Sequence, residues 1–171
     1  MSKKPLLICV VGATAIGKTT LSIALAKAFD TEIVSADSRQ FYTSMNIGTA
    51  VPSTQELAAA PHHFIQHKSI FDTYSVGDFE REALLKLDTL FSEKSTAILV
   101  GGSGLYVDAV VNGLDHFPDI EKEIRETLNT QLDNNGLQLL QQELMSVDPL
   151  YFKTMDTENP RRVIRALEIY R

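Results

Sequence analysis

The segment Gly12-Ala13-Thr14-Ala15-Ile16-Gly17-Lys18-Thr19 limits the possible folds of this 171-residue chain more than any other. It has the form Gly-x-x-x-x-Gly-Lys-[Ser/Thr]. In that pattern glycines let the backbone curl until several N–H groups face one anion, and the helix that follows adds its positive end. The flanks fit. Leu6 to Val11 is a continuous apolar, β-branch-rich run, read as a strand buried on both faces of a parallel sheet. From Thr20 to Phe29, Leu21, Ala24, Leu25 and Ala28 recur at helical spacing. Gly12 through Thr19 are therefore the expected phosphate-binding residues, with Lys18 supplying a mobile charge and Thr19 a hydroxyl for Mg²⁺. Cys9, the single cysteine, falls inside the strand and is expected to be a small buried side chain, with no disulfide in prospect.

The next segments repeat the alternation. Glu32 to Ser35 reads as a second strand ending at Ala36-Asp37-Ser38. Ser75-Val76-Gly77-Asp78 resembles a capping box that opens a helix through Leu90, and Thr96 to Val100 is a further buried strand running into Gly101-Gly102-Ser103-Gly104. Strands alternating with helices indicate an α/β fold, here a P-loop NTPase-like parallel sheet core over residues 1–115. After Pro118 the pattern changes. Ile120 to Leu132, Leu137 to Met145 and Pro160 to Arg171 read as helices punctuated by Gly136, Pro149 and Pro160. Residues 116–156 are expected to form a helical insertion domain, and 157–171 a helix returning to the core, with Asn159 as its cap and Pro160 at its first position. No stop signal follows Arg165, so the chain is expected to end within a helix and to lack the last part of the core.

Strand ends in an open α/β sheet face the ligand, and this directs attention to two turns beyond the phosphate loop. Asp37 follows the second strand, where a carboxylate can cap its own turn with Ser38, contact Mg²⁺ or serve as a general base. Ser103 follows the strand ending at Val100, where its glycine neighbours equally suit close strand–helix packing. No acidic residue ends that strand, which counts against an ATP-driven motor, although a phosphate loop read alone points to a nucleotide such as ATP. His62, His63 and His67 resemble a metal group superficially, but without a Cys or carboxylate at helpful spacing they read as structural or substrate-lining. Arg161 and Arg165 share a helix face with Arg162 beside them, either as a solvated basic face or as a clamp for phosphates or nucleic acid.

The net charge of −6 disfavours indiscriminate nucleic-acid binding. From Lys153 to Arg171, however, five basic residues face three acidic ones, so this is the end that an anionic macromolecule would meet. No run approaches the roughly 20 apolar residues that span a bilayer, and a cytoplasmic location is the default expectation.

Taken together, Gly12 to Thr19, Ser35 to Tyr42, Met45 to Ala50, His62-His63, Leu99 to Tyr106 and Arg162 to Glu168 resemble the tRNA dimethylallyltransferase (tRNA isopentenyltransferase) family, in the family's order and over nearly the whole chain. The resemblance implies transfer of a dimethylallyl group from dimethylallyl diphosphate to N6 of the adenine 3′ of the anticodon, in tRNAs reading codons that start with U. It implies Mg²⁺ as cofactor, the tRNA anticodon stem-loop as partner, no membrane, and action as a monomer. Asp37, Ser103 and Lys18 would be catalytic, with Asp37 the base. Asp37, Ser38, Arg39, Gln40, Ser103, Arg125, Arg161, Arg162, Val163, Ile164 and Arg165 would meet the tRNA. The chain departs from the usual family pattern at Ser103 (commonly Thr), Ile16 (Ser), Arg161 (Gln), Val51 (Lys) and Thr43-Ser44 (Arg-Gly), which bears on tRNA contacts more than on the reaction. Prenylation of free AMP, ADP or ATP and small-molecule phosphorylation are the alternative activities.

Overall fold

A computed structural model describes residues 4–115 and 120–171. The start of the helical insertion at 116 and the break at Pro118 fall outside the described residues. Two compact units divide near Leu114.

The first unit is built on a fully parallel sheet of β1 (Leu6–Val11), β2 (Ile33–Ser35), β3 (His62–His63) and β4 (Thr96–Gly101), in the order β1-β4-β2-β3. Central β4 is buried along its whole length. Its alternate residues feed two cores: Ile98 and Val100 join Ile33, Val10 and Ala26, whereas Ala97 and Leu99 join Val34, Phe79, Ala83, Leu87 and Val110. Helix α1 (Lys18–Ala28) supplies Ala26 to the first core. The second core is covered by α3 (Val76–Glu93) and α4 (Gly104–Asn112). Both α3 and the short α2 (Thr54–Ala59) open on Ser-x-x-Asp/Glu capping boxes, Ser75/Asp78 and Ser53/Glu56.

The strand order corrects one sequence expectation. With β4 between β1 and β2, β1 is an edge strand among the described residues, and only Val10 is buried. Leu6 and Val11 are 51% and 56% exposed, and Cys9 is exposed as well rather than buried. A continuous apolar run fits a two-sided buried strand and an apolar edge strand equally well, and nothing local distinguishes them.

The second unit consists of α5 (Lys122–Asn135), α6 (Leu137–Val147), α7 (Pro149–Thr154) and α8 (Pro160–Tyr170) around Leu128, Leu140, Leu144, Val163, Ile164 and Leu167. Gly136, at φ 77°, ends α5 and begins α6, a left-handed turn that suits glycine. Pro149 does not break the chain. It occupies the first turn of α7, where Asp148 accepts from the Tyr151 N–H. Asn159 caps α8 as its sequence implies. Helix α8 packs against α5 and α6 within this unit, which spans 115–171.

Because Cys9 lies on an exposed edge, it is expected to be alkylated to completion by a maleimide in the folded 171-residue chain. Partial desolvation raises the thiol above its ordinary range, so labelling should proceed slowly at pH 7 and accelerate with pH. Mass spectrometry without denaturant checks this, and protection until unfolding would contradict it.

Candidate active site

Parallel register brings the chemistry together. Val10 and Ser35 both lie opposite Val100 across their ladders. Two residues further along each strand stand Gly12, Asp37 and Gly102, so three loops leave the sheet side by side. A methyl group built on Gly102 would lie 3.6 Å from Asp37 Oδ2, 3.6 Å from the Gly12 carbonyl oxygen and 3.9 Å from Lys18 Nζ. The carboxylate and the ammonium thus converge on one glycine. Its neighbour Gly101 is tighter still, since a Cβ there would fall 2.4 Å from the Ala36 carbonyl oxygen.

The phosphate loop takes the backbone form its glycines predict. Gly17 has φ 91°, Ala15 has φ 66° and Gly12 has φ 150°, a backbone conformation that side-chain-bearing residues rarely adopt. Unlike α2 and α3, α1 begins with no side-chain cap and no acidic residue in its first turn. Its positive end is left for an anion from outside. Lys18 Nζ donates to the Ala13 carbonyl at 2.6 Å and so lies folded along the loop.

Asp37 is held in a turn: Oδ1 accepts from the Arg39 N–H at 3.1 Å, and its carbonyl accepts from the Gln40 N–H at 2.9 Å. The Ser38 N–H donates to Ser103 Oγ at 3.2 Å, and the two hydroxyls are also 3.2 Å apart. Ser103 is thereby tied to the residue after Asp37. Gln40 Oε1 accepts from the Ser35 hydroxyl while its Nε2 donates to the Thr49 and Ala50 carbonyls, so Gln40 staples the 45–50 loop to β2. Beneath the turns, Phe41 is fully buried, stacked on Phe79 with centroids 5.1 Å apart, and edged by Tyr74, His67 and Tyr106.

Two cavities meet here. The first, about 320 Å³, is lined by Gly17, Lys18, Thr19, Ser35, Asp37, Gln40 and, from the far wall, Glu56, His62 and Ile65. The second, about 340 Å³, is lined by Thr14, Asp37, Ser38, Arg39, Gly48, Thr49, Gly102 and Ser103. Asp37 and Thr14 border both. The wall containing Glu56 and His62 was not evident in the sequence, because it depends on β3 pairing with β2. The Ser53-x-x-Glu56 capping box was a legible local signal for the helix in it.

The arginines belong to the helical unit. Arg125 Nε and Nη2 bind the two oxygens of Glu168, and Arg165 Nη1 lies 3.3 Å from Glu168 Oε2. Glu168 is only 2% exposed, whereas Arg125 and Arg165 stay 59% and 47% exposed. Arg161 and Arg162 are exposed, but Val163 and Ile164 are core residues of the unit. Val163 and Ile164 thus lie in the apolar stripe of α8, with the arginines on its outer face.

A parallel α/β sheet with a phosphate loop, and the Asp37 and Ser103 turns beside it, defines a P-loop-type class of protein. Comparison narrows the class. A family model described as IPP transferase matches residues 40–171. Curated tRNA dimethylallyltransferases of Christiangramia forsetii and Flavobacterium psychrophilum are 60% and 55% identical over 163 and 169 residues, each covering 95% of this chain and 54% and 55% of the relative. Among solved structures, the full-length tRNA isopentenylpyrophosphate transferase of Bacillus halodurans matches with TM-score 0.64 at 38% identity, over 98% of this chain and 55% of that one. A eukaryotic dimethylallyltransferase acting on tRNA matches with TM-score 0.82 at 27% identity, over 98% and 41%. The chain belongs to the IPP transferase family, and it spans about half the length of the curated relatives it matches.

Adjacent glycines should respond differently to one methyl group. Gly101→Ala drives a Cβ into a backbone carbonyl and is expected to cost about 2–3 kcal/mol in urea unfolding, whereas Gly102→Ala meets only ordinary contacts and should stay within about 0.5 kcal/mol of wild type. Glu168→Ala leaves two half-exposed arginines without their buried partner. It should cost about 1–3 kcal/mol, below the range for a fully buried pair because solvent screens both guanidinium groups.

Proposed function

We propose that the full-length protein transfers a dimethylallyl group from dimethylallyl diphosphate to N6 of the adenine 3′-adjacent to the anticodon in tRNA, releasing diphosphate. One observation carries the reading: a single carboxylate, Asp37, borders both the phosphate-loop cavity and the neighbouring polar one. A group-transfer enzyme needs a seat for the leaving group, a seat for the acceptor, and a base at their junction. The family relationship and the tRNA-directed names of the relatives support the choice of donor and acceptor.

In this reading the cradle of Gly12 to Thr19, the Lys18 ammonium and the open end of α1 stabilise charge that grows on the departing diphosphate. The adenine amine attacks the allylic C1 as the C1–O bond breaks, and the bonding pair leaves with diphosphate. The amine is a weak nucleophile because its lone pair is delocalised into the ring, so proton transfer from N6 to Asp37 assists attack. The Ser103 hydroxyl, through Ser38, holds the Asp37 turn and faces the acceptor cavity. Base stacking hides the amine in an intact anticodon loop, so the adenine must be extruded to reach it.

No group of three or more His, Cys, Asp or Glu side chains suited to a metal occurs among the described residues. Thr19 and Asp37 in one cavity instead suit an ion that keeps its waters and takes oxygens from a phosphate, which is the coordination habit of Mg²⁺. When bound, Mg²⁺ would neutralise charge on the leaving group, with Thr19 as its protein contact. Arg125, Arg161, Arg162 and Arg165 offer exposed positive charge for the RNA backbone. No helix among the described residues is long and apolar enough to cross a membrane.

The test is acceptor-resolved transfer by the full-length protein with Mg²⁺ and labelled dimethylallyl diphosphate, offering tRNA and AMP in competition. Label is expected on tRNA, and Asp37→Asn should lower kcat by about 10²–10⁴ with diphosphate binding retained. Label on AMP in preference to tRNA, or ATP hydrolysis without prenyl transfer, would refute the proposal.

A further inference from the structure

Of His62, His63 and His67, only His62 lines the phosphate-loop cleft. His63 is occupied by Glu32, 2.5 Å from its Nε2, and His67 packs edge-on against Phe41 and Phe64. Pairing of β3 with β2 sets His62 opposite Ile33 and so fixes the backbone that bears the ring. The ring's Nδ1 is 2.8 Å from the Ala60 carbonyl. A carbonyl only accepts, so Nδ1 carries the hydrogen, and Nε2 of the neutral ring presents a bare lone pair. Nε2 is buried and has no hydrogen-bond partner among the described residues. Buried polar atoms are rarely left this way, and one on a residue that walls a ligand cleft points to the ligand as the missing partner.

A Mg²⁺-bound diphosphate offers mainly acceptor oxygens near neutral pH, so it repels a bare lone pair. One proton on the ring turns repulsion into a charge-assisted hydrogen bond. In the free protein, desolvation holds the imidazole below its ordinary range, with His63 adding to the depression while the Ala60 carbonyl and the Glu56 carboxylate on α2 oppose it. Across the cleft, Lys18 disfavours a second positive charge and Asp37 favours it. A polyanion in the cleft shifts this balance toward the charged ring, the added proton coming ultimately from bulk water.

We propose that His62 is a diphosphate-binding residue that takes up one proton at Nε2 as the ligand enters, coupling occupancy of the cleft to pH. The inference rests on the cleft being the diphosphate seat. The bound-state pKa is raised above the free-state one. The contribution is therefore complete below the free-state pKa and is lost as pH rises through the bound-state value.

Calorimetric titration with Mg²⁺-pyrophosphate, in two buffers of different ionisation enthalpy near pH 7, reads the proton count directly. The full-length protein is expected to take up close to one proton more than His62→Asn, whose amide can still donate to Ala60. The variant should bind about tenfold more weakly at pH 6.5, with the gap closing at high pH. On the wild type, the ¹⁵N signal of His62 Nε2 should move from unprotonated to protonated on adding pyrophosphate, a readout independent of any substitution. Equal proton uptake by wild type and variant, or an unmoved Nε2 signal, would overturn the assignment of His62 alone, provided that Lys18→Ala abolishes binding. If wild-type binding ignores Lys18→Ala, the diphosphate seat falls and His62 with it.

Discussion

The site depends on how closely two strand ends can approach. Gly101 abuts the Ala36 carbonyl at a separation no side chain would permit, and this lets the ends of β4 and β2 leave the sheet in contact. The Ala36 N–H donates to the Val100 carbonyl at 2.7 Å, which extends the ladder to the last residue before Asp37. One residue later Gly102 lies among Asp37, Lys18 and the Gly12 carbonyl. The first glycine sets the distance between strands, and the second leaves space between their charges. A bulkier pair would keep the fold's outline but separate the carboxylate from the ammonium.

Packing below the turns keeps that geometry stiff. Phe41 lies four positions after Asp37 and Tyr106 three after Ser103, and both rings belong to one aromatic cluster with Phe79. A shift of either turn would have to move rings already in contact. Above the cluster, Ser38 and Ser103 join the turns directly, and Gln40 secures the neighbouring loop. The phosphate loop is organised differently. It is shaped by backbone conformation at Gly12, Ala15 and Gly17, with Lys18 folded onto the Ala13 carbonyl and no side-chain cap on α1, as befits a surface whose amides must serve a ligand.

Much of this was legible in the sequence, and the exceptions have identifiable causes. The phosphate loop, Asp37 and Ser103 stand at strand ends marked by local patterns, so their convergence followed from parallel α/β topology alone. Cys9 and most of β1 are exposed in this chain, which a local apolar run does not reveal because strand order is a long-range property. Val163 and Ile164 lie in the apolar stripe of α8, which the contiguous motif alone does not show. Helical periodicity alone would have separated Arg161, Arg162 and Arg165 from the apolar stripe. His62 reads from sequence only as structural or substrate-lining, since its cleft position arises when β3 joins the sheet.

The edge position of β1 has a mechanical consequence. Gly12 emerges from a strand whose described hydrogen bonds run to β4 alone, so the anion cradle hangs from a single ladder. Local opening of the β1–β4 ladder near Val10 and Val100 would relax the cradle while the Asp37 and Ser103 turns, braced by β2 and the aromatic cluster, kept their shape. In this 171-residue chain the phosphate loop is thus tied to the sheet by fewer contacts than the turns beside it.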